Sequence, residues 1–151
     1  MPRILVDGDA CPVKDEIYRV AARRRTPVTL VSNSYLRTPP EAPVELVVVG
    51  DGFDAADDRI VELAGADAVV VTADILLAER CLKAGAAVLA ATGKPFTVDS
   101  IGAQVATRAI LADLRAGGDQ IGGPAPFSKA DRSRFLQALD QVLVKLERAG
   151  A

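Results

Sequence analysis

Short runs of apolar, mostly β-branched residues alternate along the chain with longer stretches in which apolar positions recur every three or four residues. Ile4 to Val6, Val28 to Val31, Val44 to Val49, Ala68 to Thr72 and Ala86 to Ala90 read as five strands. They are continuous rather than alternating in character, as strands covered on both faces are. A helix follows Pro12, a residue that a first helical turn tolerates, and runs to about Arg25. A second opens near Ala56 and stops at Gly65, and Asp74 starts a third that Gly85 closes. Ser100 to Ala116 reads as a fourth, ended by Gly117 and Gly118. Ser128 and Asp131 have N-cap spacing ahead of a last helix, whose Phe135, Leu139, Val142 and Leu146 form one stripe. This strand–helix alternation predicts an α/β protein, a three-layer αβα sandwich around a mostly parallel five-stranded sheet. No linker, repeat or low-complexity tract divides the 151 residues, so 1–151 is expected to be a single domain.

Composition removes several chemistries. The chain contains no histidine, which excludes imidazole acid–base catalysis, Ser–His and Cys–His nucleophiles, and the commonest zinc sites. Its two cysteines, Cys11 and Cys81, lack CxxC spacing and read as free thiols in a reducing compartment. A net charge of −2 argues against gripping nucleic acid by bulk charge, while leaving room for a local basic patch. The N-terminus starts with a charged strand, and no apolar stretch approaches the ~20 residues of a membrane span. A soluble, cytoplasmic protein without membrane attachment is expected.

What remains informative is where the carboxylates fall. Asp7 and Asp9 follow the first strand, and Asp74 follows the fourth. In open α/β sheets, ligands bind outside the carboxyl ends of the strands, where strand order reverses. On the helix that opens Ala55-Ala56-Asp57-Asp58, Asp57 shares a face with the apolar Ile60 and Val61, whereas Asp58 is rotated away. Asp7, Asp9, Asp57 and Asp74 are therefore the candidate catalytic residues, with Asp7, Asp57 and Asp74 as metal ligands. Clustered carboxylates repel each other unless a cation lies among them. A hard ion, Mg²⁺ or Mn²⁺, takes such oxygen ligands and supports attack of water on a phosphodiester without any histidine. Each acid has a plainer reading as a helix N-cap, which stabilises by ~1 kcal/mol, but capping accounts for at most one of Asp7 and Asp9.

The segment Val6-Asp7-Gly8-Asp9-Ala10-Cys11-Pro12-Val13-Lys14, followed by Gly52-Phe53-Asp54-Ala55-Ala56-Asp57 and Thr72-Ala73-Asp74-Ile75, resembles the YaiI/YqxD family of bacterial PIN-like proteins. Gly122-Gly123-Pro124 and Asp131-Arg132 with Phe135 match it as well, so the resemblance spans essentially the whole chain. It implies a PIN-like fold and acidic residues like those of metal-dependent ribonucleases, which fall here on Asp7, Asp9, Asp57 and Asp74. Two departures stand out: Gly8, where the family usually shows Ala, a change expected to loosen the turn, and Leu76, where it often has Pro. The resemblance also includes Arg108 and Arg132, which makes them substrate-binding candidates.

Asn33, beside Ser32 and Ser34 after the second strand, and Lys14 are further substrate-binding candidates, with a turn former and a surface charge as their plainer readings. Gly93-Lys94 is not a phosphate loop, because Val88 stands at the required earlier glycine and Pro95 replaces Ser/Thr. The leading expectation is a metal-dependent nuclease or related phosphodiester hydrolase acting on single-stranded RNA. One alternative is a non-catalytic protein that binds RNA or a nucleotide through the metal-filled pocket. The other is a haloacid dehalogenase-type phosphatase with Asp7 as nucleophile, which lacks the lysine and the strand–helix units that scheme requires. The stripe on the last helix serves the core or a homodimer face.

Overall fold

The computed structural model describes residues 2–8, 11–50, 55–102, 106 and 128–149. β1 (Arg3–Asp7) is followed by α1 (Lys14–Arg24), β2 (Val28–Ser32), β3 (Val44–Val48), α2 (Ala55–Leu63) and β4 (Ala68–Val71). Then come α3 (Ile75–Lys83), β5 (Ala87–Leu89), β6 (Pro95–Phe96), helical residues 98–102 (α4) and α5 (Lys129–Ala149). The strands form one sheet in the order β3-β2-β1-β4-β5-β6, parallel throughout except for β6, which pairs antiparallel with β5.

The expected count of five strands is corrected to six, in a mixed sheet. β6 has only two residues, and its Pro95 cannot donate to a ladder, a combination that edge strands tolerate and that leaves no periodicity to read. Of the expected Ser100–Ala116 helix, only its start lies among the described residues, and Gly117, Gly118 and Gly122 to Pro124 lie outside them.

Central β1 shows why its sequence is a continuous apolar run: Ile4, Leu5 and Val6 are all fully buried, with successive side chains entering opposite cores. Ile4 and Val6 join Val28, Leu30, Val69, Val71 and Leu89 beneath α1 and α5, which contribute Ile17, Val20, Phe135, Leu139 and Leu143. Leu5, Val31, Val70 and Val88 point the other way, into Ala56 and Ile60 of α2 and Leu77, Ala78 and Cys81 of α3.

Helix ends follow their chemistry. α1 carries Asp15 and Glu16 in its first turn and Arg23 and Arg24 in its last, each complementing the helix dipole. At α5, the Asp131 N–H donates to Ser128 Oγ at 3.1 Å and the Ser128 N–H donates to Asp131 Oδ2 at 3.0 Å, the reciprocal cap expected from their spacing. No helix among the described residues is long and apolar enough to cross a membrane.

Candidate functional site

From β1 the chain moves to β2 and β3 on one side and later to β4 and β5 on the other, so strand order reverses between β1 and β4. Parallel strands splay their connections apart at such a point, leaving a crevice at the carboxyl edge. Asp7 ends β1 there, and Thr72 follows β4 on the adjacent strand.

Thr72 joins the two acids. Its Oγ1 donates to Asp7 Oδ2 at 3.1 Å and accepts the Asp74 backbone N–H at 3.0 Å, while its own N–H donates to Leu89 O at 3.2 Å. Being 3% exposed, the hydroxyl is held in a fixed orientation rather than free to rotate into water. Asp74 is the N-cap of α3: Oδ1 accepts from the N–H groups of Leu76 (2.9 Å) and Leu77 (3.3 Å). The capping reading of Asp74 is therefore correct, and it engages one oxygen, leaving Oδ2 clear of the cap.

Gly8 follows Asp7 at closest packing. A Cβ there would meet Leu30 Cδ1 at 2.8 Å and the Val31 carbonyl oxygen at 3.0 Å, so glycine lets this turn press against β2 instead of loosening it.

Asp57 and Asp58 separate as their helix phase predicts. Asp58 is exposed and pairs with Arg80 at 2.9 Å. Asp57 is half-buried and lies near the Cys81 thiol of α3, whose pKa is pushed up to about 11, chiefly by burial, with the Asp57 charge adding to the rise. The structure thus ties Asp7 to Asp74 and places Asp57 on the α2–α3 side. Among the described residues, no three His, Cys, Asp or Glu side chains converge to hold a metal ion together. Asp9 and Arg108 lie outside the described residues.

The remaining candidates differ in their surroundings. Asn33 is exposed immediately after β2, whose Val31 is in register with Asp7. Lys14 opens α1 close to the half-buried Cys11, and its charge opposes the rise that burial imposes on that thiol. Both thiols stay protonated near neutrality and are poor ligands in that state. Arg132 reaches from α5 to α1, where Nη1 donates to the Pro12 carbonyl oxygen at 2.9 Å and to Glu16 Oε1 at 3.0 Å.

Thr72 and Glu16 carried no sequence expectation as site residues. Thr72 reads as the end of a strand, and only the sheet order reveals that it bridges two acids. Glu16 has a local signal: it lies three residues after Val13 and four before Val20, an acid on the apolar stripe of α1. It is 8% exposed, and its Oε2 has no hydrogen-bond partner among the described residues.

The model of the "Uncharacterized BCR, YaiI/YqxD family" matches residues 5–145. Similar proteins include the UPF0178 protein of Sphingopyxis alaskensis, 68% identical over 97% of this chain and 96% of its own length. Those of Jannaschia sp. (60% identical, covering 95% and 94%) and Nitrobacter winogradskyi (54%, covering 99% and 95%) are similar over the same extent. No solved structure matches. With the match running from β1 into the last helix, the chain belongs to the YaiI/YqxD family.

Proposed function

We propose that the chain is a metal-dependent phosphodiester hydrolase acting on single-stranded RNA in the cytoplasm, on a PIN-like, three-layer αβα scaffold. The observation that carries this reading is the Asp7–Thr72–Asp74 chain at the point where strand order reverses. Asp7 and Asp74 follow adjacent strands, a buried hydroxyl holds the Asp7 carboxylate and the Asp74 backbone N–H, and both acids offer only oxygen donors. Such donors suit a hard divalent ion, Mg²⁺ or Mn²⁺, and suit a soft one poorly.

Asp7 and Asp74 would hold the ion, Asp74 through the oxygen that its cap leaves clear. When bound, the ion supplies charge neutralisation at the phosphate and a more acidic water. Thr72 fixes the Asp7 carboxylate. Asp57 is assigned the outer role of orienting water, and Asp9 assists. Asn33 and Lys14 would meet the substrate backbone at the rim. Arg132 sets the position of α5 against α1 through Pro12 and Glu16, and is assigned a contact with substrate.

In the full chain, Asp7→Asn and Asp74→Asn are each expected to abolish Mn²⁺-dependent cleavage of single-stranded RNA. Cleavage that survives both substitutions, or that never required metal, contradicts the assignment. A second reading, metal-dependent RNA or nucleotide binding without hydrolysis, is favoured by one observation: Asp74 already serves as a structural cap. Saturable, metal-dependent RNA binding with no cleavage by the wild type would select it.

A further inference from the structure

The turn from β5 into β6 lies on the same edge of the sheet as Asp7, because β5 is parallel to β4 and Leu89 at its end is in register with Pro95 of β6. Only β4 separates β5 from β1, so the turn starts two strand spacings, about 10 Å, from Asp7. Its shape is fixed. The Gly93 N–H donates to Ala90 O at 2.9 Å, and the Ala90 N–H donates to Lys94 O at 2.9 Å. Gly93 has φ +86°, and a Cβ there would stand 2.7 Å from the Arg134 carbonyl oxygen. Only glycine lets the turn lie directly on the backbone of α5.

Between turn and helix runs an open groove of about 360 Å³, lined by Thr92, Lys94, Asp131, Arg134, Gln137 and Gln141. Its single carboxylate is already engaged. Asp131 Oδ2 accepts from the Ser128 N–H and hydroxyl, each at 3.0 Å, and Oδ1 accepts from Arg134 Nη2 at 2.6 Å. Lys94 is exposed and forms no ion pair among the described residues. What the groove offers a ligand is the Lys94 ammonium, the Arg134 N–H groups not used in its pair with Asp131, two amides and a hydroxyl on a rigid floor.

We infer that this groove carries the phosphodiester backbone of single-stranded RNA on its way to the carboxylates at β1 and β4. The inference rests on the nuclease reading above, and it gives Gly93 and Lys94 a role unrelated to a phosphate loop. Phosphate oxygens accept from Lys94 and Arg134, while Gln137 and Gln141 can meet backbone or base edges. One fixed face with a turn of positive character supplies local attraction on a chain whose net charge is −2.

The test is fluorescence anisotropy of a short fluorescein-labelled oligouridylate with the full chain, in EDTA so that nothing is cleaved. Lys94→Glu is expected to weaken binding about tenfold at moderate salt, and Lys94→Ala to reduce the slope of log K against log salt by about 1. Lys83→Glu makes the same charge change at the far end of α3, on the other side of the sheet, and is expected to leave binding within about twofold of wild type. Equal losses for Lys94→Glu and Lys83→Glu, or no saturable binding by the wild type, overturn the groove. Asp7→Asn is measured in parallel. If it abolishes cleavage while Lys94→Glu binds like wild type, the nuclease reading stands and the groove falls. Lys94-dependent binding by a wild type that cleaves nothing gives the reverse outcome.

Discussion

The two faces of the sheet are packed differently. Beneath α1 and α5, the fully buried side chains are large (Ile4, Ile17, Leu30, Phe135, Leu139, Leu143), and ion pairs join parts of the chain more than a hundred residues apart. Arg23 and Arg24 converge on Asp140 at 2.6 and 2.8 Å, and Arg132 reaches Glu16 at 3.0 Å. Beneath α2 and α3, much of the core is small (Ala56, Ala68, Ala78, Cys81, Ala86), and Arg80–Asp58 is the ion pair between the two helices among the described residues. The first face clamps α1 to α5. The second lets two short helices approach closely and sets Asp57 of α2 near the Cys81 thiol of α3. The first face should dominate stability.

The largest test of that difference removes a core side chain from each face. Phe135→Ala is expected to cost about 3–5 kcal/mol and Leu77→Ala to fall near the lower end of about 2–5 kcal/mol, read by urea unfolding. Equal losses would remove the distinction between the faces.

Arg132→Ala comes next. It strips Glu16 of the only hydrogen-bond partner it has among the described residues, and an orphaned buried carboxylate costs about 1–3 kcal/mol. The arginine side chain is 41% exposed, which places the expectation in the lower half of that range. If the loss comes from the stranded acid, the Arg132→Ala, Glu16→Ala double variant recovers part of it.

A smaller effect separates capping from chemistry at Asp74. Asp74→Ala should lower stability by about 1 kcal/mol, while Asp74→Asn, an equally good cap, should leave it nearly unchanged. A loss of RNA cleavage in the Asn variant then belongs to the missing charge.

The smallest effect is the pH dependence of the clamp. Partial burial pushes the Asp140 carboxyl up, but hydrogen bonds from Arg23 and Arg24 outweigh it and hold the pKa below the usual carboxylate range. A group whose pKa is lower in the folded state stabilises fully above its unfolded value, and that stability is lost as pH falls through the folded one. Asp140→Asn should therefore flatten the loss of stability as pH drops below the ordinary aspartate range, with a change of about 0.2–1 kcal/mol for so exposed a cluster.

The alternation of β and α elements was legible because parallel strands buried on both faces leave unbroken apolar runs, as Ile4 to Val6 and Ala68 to Val71 do. The opposite fates of Asp57 and Asp58 follow from helix phase alone. Asp7 and Asp74 were legible as strand-end acids, but their link through Thr72 was not, since it depends on β1 and β4 being neighbours. Glu16 shows the same limit: its stripe position is local, but its partner lies 116 residues away. β6 escaped because two residues have no period, and the tight seating of Gly93 on α5 depends on tertiary packing.

The acids at the β1–β4 crevice are proposed to bind a hard divalent cation. Titration of Mn²⁺ into the full chain, followed by the electron paramagnetic resonance signal of the free ion, tests it without any assumption about substrate. Wild type and Asp58→Asn are expected to deplete the free ion alike, and Asp7→Asn is expected to leave it in solution. A wild type that leaves the signal untouched, or an Asp7→Asn variant that binds as tightly as wild type, would contradict the proposal.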